Sequence, residues 1–384
     1  MKKQKEKAHR DPAVTFAFLL LPFYLQFACC AAGDAAKLAD LMPGTWHGVH
    51  SAGGLAYQHC IRIQRGGAGF AGQGISWCGL SEEQAMAAMR GQKPVTDVPG
   101  ALCVAQQFAI KLEGDSVTFQ GVSVQNLFNG GKYKPNLLVG KLVPPGVAAS
   151  DGADDKKGEH LFRFWKDEAL AKPPPLDLEK GKTHKLGCLD GTKYHYACYI
   201  PKNYDPEKPA PVLINFSPGG NGEPLSTKMA EESGWVMAGL TESKNGPFEP
   251  ICENREAVLF DLRRRFKVDL KHVYFSGFSG GARASSASGQ AYPGFCAGLI
   301  LIGAAYAQGV PPKEQAIFYI TGQTDMNKGE VTGAYEKAKA SGRKCQFVLH
   351  PGGHEWGRPQ DHEAAIRWLV QETSGTKEPE KKKP

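Results

Sequence analysis

The chain has 384 residues, of which 41% are hydrophobic and 22% charged, with a formal net charge of +7. That length accommodates two globular domains, and the composition excludes a chain that is disordered throughout. The charge does not signal a nucleic-acid partner: the first 32 residues carry five Lys or Arg against two acids, and without them the balance falls to about +4.

The opening "MKKQKEKAHRDP" is basic and leads into "AVTFAFLLLPFYLQFACCAA", uncharged and ending in small side chains. This pattern predicts a signal peptide over residues 1–32, cleaved after Ala32, and a secreted or cell-envelope protein with no membrane span after cleavage. A membrane anchor would need about 20 unbroken apolar residues, and Pro22 and Gln26 interrupt the run. Cys29 and Cys30 admit acylation as a lipoprotein, the lesser reading, because Gln26 or Phe27 stands where an aliphatic residue is usual. Eight cysteines lie beyond the leader, an even set suited to an oxidising compartment. If Asp190-Gly191 is a two-residue turn, Cys188 faces Lys193 rather than Cys198, so no bridge within that hairpin is expected. His47, His50 and His59 are the nearest approach to a metal site. Without a fourth ligand at a recognised spacing they read as unconnected surface histidines, and no metal or organic cofactor is expected.

Residues 40–168 offer short alternating runs such as "YQHCIRIQ", "QQFAIKLEG" and "SVTFQGVSV", broken by glycines. They predict a small all-β domain, sandwich or barrel. One helical interlude, "SEEQAMAAMR", begins with a serine N-cap candidate and a glutamate soon after. The tryptophans of "TWHG", "SWCG" and "RFWKD" read as core residues, or as platforms for sugars. Residues 169–182, with three consecutive prolines, form a semi-rigid linker. From 183 to 373 strand-like and helix-like segments alternate, which predicts an α/β domain, mostly a parallel sheet with helices on both faces. The runs "PVLINF", "GLILIG" and "AIFYITG" are apolar without alternation, as strands buried on both sides should be. Gly234 and Gly342 fall where helix ends need a left-handed residue. Residues 374–384 form a charged, disordered tail.

The stretch "VYFSGFSGGARAS" contains G-x-S-x-G at Gly277, Ser279 and Gly281, after a predicted strand and before a predicted helix. A strand that turns into a helix within two residues strains the serine backbone, and the flanking glycines relieve the crowding. Ser279 is therefore the candidate nucleophile. A serine hydroxyl needs a base, and the base an orienting carboxylate. In the order nucleophile, acid, base these are Asp325, after "AIFYITGQT", and His354, in "PGGHEW". Both follow the carboxyl ends of predicted strands. Glu330 is the rival acid, inside a predicted helix; His350 and His362 are the rival bases, one inside a strand and one on the last helix. The oxyanion donors are Gly280 and, from the loop "SPGGNG", Gly219 or Gly220, since Pro218 has no amide. Phe278 and Trp356 flank the site as candidate substrate-binding residues or as core.

Together, "YHYACYIPKNYDPEKPAPVLINFSPGGNG", "AVLFDLRRRFKVDLKHVYFSGFSGGAR", "TGQTD" and "PGGHEW" resemble the secreted α/β-hydrolase serine esterases of the feruloyl esterase and polyhydroxybutyrate depolymerase group, over about half the chain. The resemblance implies the α/β-hydrolase fold, Ser279 as nucleophile, Asp325 as acid, His354 as base and the "SPGG" loop as oxyanion site. The chain departs from that group in having Ser217-Pro218 where His-Gly is usual, and "MNKG" after Asp325 where an apolar residue and proline are often found.

Only about a dozen residues separate "GLILIGA" from the next predicted strand, too few for a cap. An open cleft suits a bulky, polymer- or glycan-linked ester. The first expectation is thus a serine carboxylesterase of feruloyl, acetyl or polyester type that works through an acyl-enzyme. A serine peptidase of the prolyl-oligopeptidase type uses the same triad and is the second reading. A carbohydrate- or surface-binding protein with a silent hydrolase domain is the third.

Overall fold

The computed structural model describes residues 39–373 except 41, 53–54, 67–68, 97, 99, 115, 130–136, 144–145, 152–160, 167–175, 189–192 and 308. At 50–52, 55, 137–143, 146–151, 161–165 and 249 only the backbone is described. The expected leader (1–32) and tail (374–384) lie outside the described residues, as does most of the proline-rich segment.

Eight strands pair in chain order as a closed antiparallel barrel: β1 (Gly44–Ala52), β2 (Leu55–Gly66), β3 (Gly69–Cys78), β4 (Leu102–Glu113), β5 (Ser116–Phe128), β6 (Leu137–Val143), β7 (Gly146–Asp151) and β8 (Leu161–Lys166). Closure comes from β8 pairing back on β1, with Trp46 opposite Lys166 and Val49 opposite Arg163. Strand alternation sends Trp46, Ile61, Ile63, Phe108, Ile110, Val117 and Phe119 into one buried cluster, while their neighbours form the outer wall. Helix α1 (Glu82–Met89), between β3 and β4, covers part of that wall, where Ile75, Trp77 and Cys103 meet Ala85 and Ala88. Its N-terminus is a capping box: Ser81 Oγ accepts from the Gln84 N–H, and Gln84 Oε1 accepts from the Ser81 N–H. The reciprocal partner is a glutamine, not the glutamate expected from the sequence. Trp46 and Trp77 are both buried, so neither offers a face to a sugar.

The second half is a mixed α/β sheet. Its strands are β9 (Lys182–Gly187), β10 (His195–Ile200), β11 (Ala210–Phe216), β12 (Val236–Leu240), β13 (Val268–Phe278), β14 (Cys296–Ile302), β15 (Ala316–Gly322) and β16 (Cys345–His350), in the order β16-β15-β14-β13-β11-β12-β10-β9. The strands from β12 to β16 pair in parallel, and β10 and β9 add antiparallel. Helices α3 (Phe248–Arg265), α4 (Gly280–Ala291) and α5 (Lys328–Ala340) cover one face, where Val258, Leu262, Ala282 and Val331 meet Ile214, Phe275, Leu301 and Ile317. Helices α2 (Thr227–Ser233) and α6 (Pro359–Thr373) cover the other, where Met229, Ile366 and Leu369 meet Leu213, Tyr274, Ile300 and Phe318. Consecutive residues of a strand thus bury on opposite faces, which is why these runs carry no polar alternation. Gly234 ends α2 with φ 73° and Gly342 follows α5 with φ 71°, the left-handed geometry that glycine tolerates.

Two details differ from the sequence reading. Gly187 pairs with His195, and the Cys188 N–H donates to the Tyr194 carbonyl at 3.0 Å. Cys188 therefore faces Tyr194 rather than Lys193, because the connection is longer than a two-residue turn. All eight cysteines of the described chain are thiols rather than disulfides. Among the described residues no helix is long and apolar enough to cross a membrane.

The barrel meets the second half through β1 and β2, which pack against α3 and α4. Val49 and Ala56 belong to the same buried cluster as Phe216, Leu259 and Tyr292, and the Gln58 side chain donates to the Ala291 carbonyl at 3.4 Å. The contact lies at Ala291, the C-terminal end of α4, about 17 Å from its first residue at 1.5 Å per residue. The opposite end of α4 begins at Ser279.

Candidate active site

Because β11 to β16 all run parallel, their carboxyl ends share one rim, where open α/β sheets build sites. Ser279 joins β13 to α4 with no residue to spare and adopts φ 53°, ψ −117°. This is a strained geometry for a residue with a side chain. Two glycines make it possible. A β-carbon on Gly277 would come 2.4 Å from the Gly281 carbonyl, and one on Gly281 would come 2.2 Å from the Phe216 oxygen. The Ser279 N–H is anchored to the Ile302 carbonyl at 2.8 Å. Its Oγ lies 2.9 Å from Nε2 of His354.

His354 stands on the loop after β16. Its Nδ1 lies 2.9 Å from Oδ1 of Asp325. A carboxylate can only accept, so Nδ1 carries the proton and Nε2 is left to accept from the serine hydroxyl. Asp325, after β15, has a fully buried side chain. Its Oδ1 also accepts from the Asn327 N–H at 2.7 Å, and Oδ2 accepts from Thr321 Oγ1 at 3.2 Å. These fix the carboxylate plane toward the imidazole.

Two of the rivals are otherwise engaged, and the third is buried inside its strand. Glu330 accepts from Arg283 at 2.7 Å and from the Ala305 N–H at 3.0 Å. Burial raises its pKa, but these bonds outweigh that and hold it below the ordinary carboxylate range. His350 is buried within β16, and His362 on α6 donates Nε2–H to the Trp356 carbonyl at 2.6 Å. Burial pushes the His362 pKa down.

Gly280 is the first residue of α4, so its amide belongs to the helix N-terminus beside Ser279. The facing loop is pinned by two bonds to the end of β12: the Asn221 N–H donates to the Thr241 carbonyl at 2.6 Å and the Gly222 N–H to the Leu240 carbonyl at 3.1 Å. Gly219 donates to its own loop at Ser217 Oγ over a long 3.3 Å, and Gly220 has φ 78°. The sequence reading missed Asn245, on the loop after β12. A β-carbon on Gly280 would fall 1.8 Å from Oδ1 of Asn245, so the Asn245 amide sits directly over the Gly280 backbone. It missed Gly303 too, with φ 65°, where a β-carbon would meet the Phe278 ring at 2.8 Å and Asp325 Oδ2 at 3.2 Å. No motif marks either residue, and the only signal is position: both follow the carboxyl end of a parallel strand.

Phe278 and Trp356 adjoin the site and pack on the core at once. The Phe278 ring lies 4.7 Å from the His354 ring and 5.3 Å from that of Trp356, and both are partly buried against the cluster that includes Ile302. Their exposed edges give the rim an apolar wall. The connection from Ile302 to Ala316 is short, so no inserted domain covers it from that side.

No family model matches the chain, and no curated protein does either. Among solved structures the chain is similar to a feruloyl esterase module from Clostridium thermocellum, at 16% identity over 53% of this chain and 91% of that one, with a TM-score of 0.39. It is similar as well to a thermophilic esterase from Thermogutta terrifontis, at 14% identity over 54% and 97% with a TM-score of 0.40. A third is an esterase from Pyrobaculum calidifontis, at 12% identity over 53% and 88% with a TM-score of 0.39.

Proposed function

We propose that the chain is a secreted serine carboxylesterase of the α/β-hydrolase fold, with Ser279 as nucleophile, His354 as base and Asp325 as its orienting acid. The observation that supports this reading most directly is the unbroken relay from Ser279 Oγ through the imidazole to Asp325, both contacts at 2.9 Å. As Ser279 Oγ bonds to the ester carbonyl carbon, its proton passes to Nε2 of His354. The carbonyl oxygen becomes an oxyanion that accepts from the Gly280 amide and from Gly219 or Gly220. Collapse breaks the bond to the alcohol, which leaves with the proton from His354. Water then repeats the sequence on the acyl-serine and releases the acid.

The substrate proposed is a bulky ester carried on a polymer or glycan, because the short connection from β14 to β15 leaves no room for a cap there and Phe278 and Trp356 offer an aromatic wall to an acyl group. Labelling the full chain with a fluorophosphonate, followed by mass spectrometry, tests the nucleophile: modification of Ser279 is expected, and modification elsewhere or nowhere overturns the reading. Short acyl esters assayed beside proline-containing peptide amides test the class. Turnover of amides alone would replace the esterase with a peptidase.

A further inference from the structure

We propose that the outer wall of the barrel holds one divalent transition-metal ion between His47, Cys60 and Glu82. His47 on β1 and Cys60 on β2 are directly opposite partners in the ladder, so their side chains share a face. That face is the outer one, because their neighbours Trp46 and Ile61 point into the barrel. Glu82 opens α1, which the Ser81 and Gln84 capping box holds in place. A ring nitrogen of His47, Sγ of Cys60 and a carboxylate oxygen of Glu82 all lie within 4.8 Å of one another. Bonds of about 2.0–2.3 Å around a tetrahedral ion need donors about 3.3–3.8 Å apart, so a small inward rotation of side chains completes the set.

The donor chemistry selects the ion. One imidazole, one thiolate and one carboxylate suit Zn2+ or a similar borderline-soft metal, not the all-oxygen coordination of Mg2+ or Ca2+. Cys60 gives up its thiol proton to solvent on binding, and the two resulting negative charges balance the dication, which a partly buried site requires. The helix dipole accounts for an acid in the first turn of α1. It accounts for neither the imidazole nor the thiol facing it.

His47 and Glu82 also line a cavity of about 160 Å³ between the barrel, α3 and the segment that follows α4, together with Trp77, Arg263 and Tyr292, and we place the fourth position on that side. Trp77 is 1% exposed, and among the described residues its indole N–H has no hydrogen-bond partner. A water or small anion on the ion would supply the missing acceptor. The three donors come from two strands and a helix, so the ion would clamp α1 to the β1–β2 wall where that wall meets α3 and α4. On the hydrolase side the junction is close: a β-carbon on Gly294 would lie 3.4 Å from the Ser81 Cα. The trio His47, His50 and His59 considered from the sequence does not converge, because His59 points inward, where its Nδ1 lies 2.6 Å from Ser76 Oγ.

The test is a titration of the full chain, stripped with chelator under reducing conditions, with Co2+ as the probe. One equivalent is expected to bind with a thiolate-to-cobalt charge-transfer band and quenching of tryptophan emission, and Zn2+ is expected to displace it. Cys60→Ser should lose the band and Cys345→Ser should keep it. His47→Ala and Glu82→Gln should weaken Co2+ binding by at least about tenfold. Absence of stoichiometric binding, or an unchanged band in Cys60→Ser, overturns the proposal. If Cys60→Ser does not fold, the exposed Glu82 decides: unchanged Co2+ affinity in Glu82→Gln overturns it as well.

Discussion

Gly322, the last residue of β15, lies directly beneath the loop that carries His354: a β-carbon on it would fall 2.2 Å from the Gly353 carbonyl oxygen and 2.4 Å from that of Gly352. The same loop is tied down from the Asp325 side, where the Thr324 N–H donates to the Gly352 carbonyl at 2.9 Å. Gly322→Ala must therefore lift the His354 loop. A displacement near 1 Å at such a site costs on the order of 100-fold. The variant is expected to fold, by circular dichroism, and to lose about 10- to 100-fold in kcat for a short acyl ester.

Ser279→Ala and Asp325→Asn are each expected to lower kcat by about 10³- to 10⁴-fold or more, the second because an asparagine lets the imidazole adopt the wrong tautomer. Glu330→Gln is expected to lose less than about tenfold, since Glu330 binds Arg283 and Ala305 rather than the imidazole. Steady-state rates of the three variants check the assignment. Equal losses in Glu330→Gln and Asp325→Asn would move the acid to Glu330.

Asn245 covers the backbone of Gly280, whose amide is the first proposed oxyanion donor. Its loop is also held to the opposite donor loop, since the Asn245 N–H donates to the Pro218 carbonyl at 2.8 Å. Asn245→Ala is expected to lower kcat about tenfold, less than the roughly 100-fold or greater loss of a direct donor, with KM little changed. A change confined to KM would assign Asn245 to substrate binding instead.

Burial keeps the His362 pKa below its ordinary 6.5. Below that pH the unfolded chain binds a proton that the folded chain resists, so the unfolding free energy falls as pH falls. The stability tied to this group is complete above about pH 6.5 and is lost progressively under more acid conditions. His362→Gln, which cannot titrate, is expected to give a shallower decline of Tm between about pH 6.5 and pH 4.5. Thermal melts of both proteins across that range check it. An identical decline would place the acid sensitivity elsewhere.

The turn at Ser279 was legible because its constraint is local: a strand that becomes a helix at once needs small neighbours, and Gly277 and Gly281 stand in the sequence where that crowding occurs. The approach of Asp325 and His354 to Ser279 follows from a rule of parallel sheets, that strand ends share a rim. Asn245, Gly303 and Gly322 were not legible, since their role depends on which strands lie side by side, and chain order does not disclose that β11 sits between β12 and β13. The opposite faces of His47 and His59 were hidden for a related reason. Alternation separates two faces of a strand, but which face turns inward is settled only when the barrel closes. The position of Cys188 turned on the length of one connection, and a single residue there changes every pairing beyond it.

Val49 and Ala56 share their buried surroundings with Phe216, Leu259 and Tyr292, and this bears on how the chain comes apart. A single nick in the proline-rich segment would remove the covalent tie without exposing those side chains. The two pieces should then co-migrate through gel filtration, and neither produced alone would be as soluble as the whole. The joint itself is made of packed hydrocarbon.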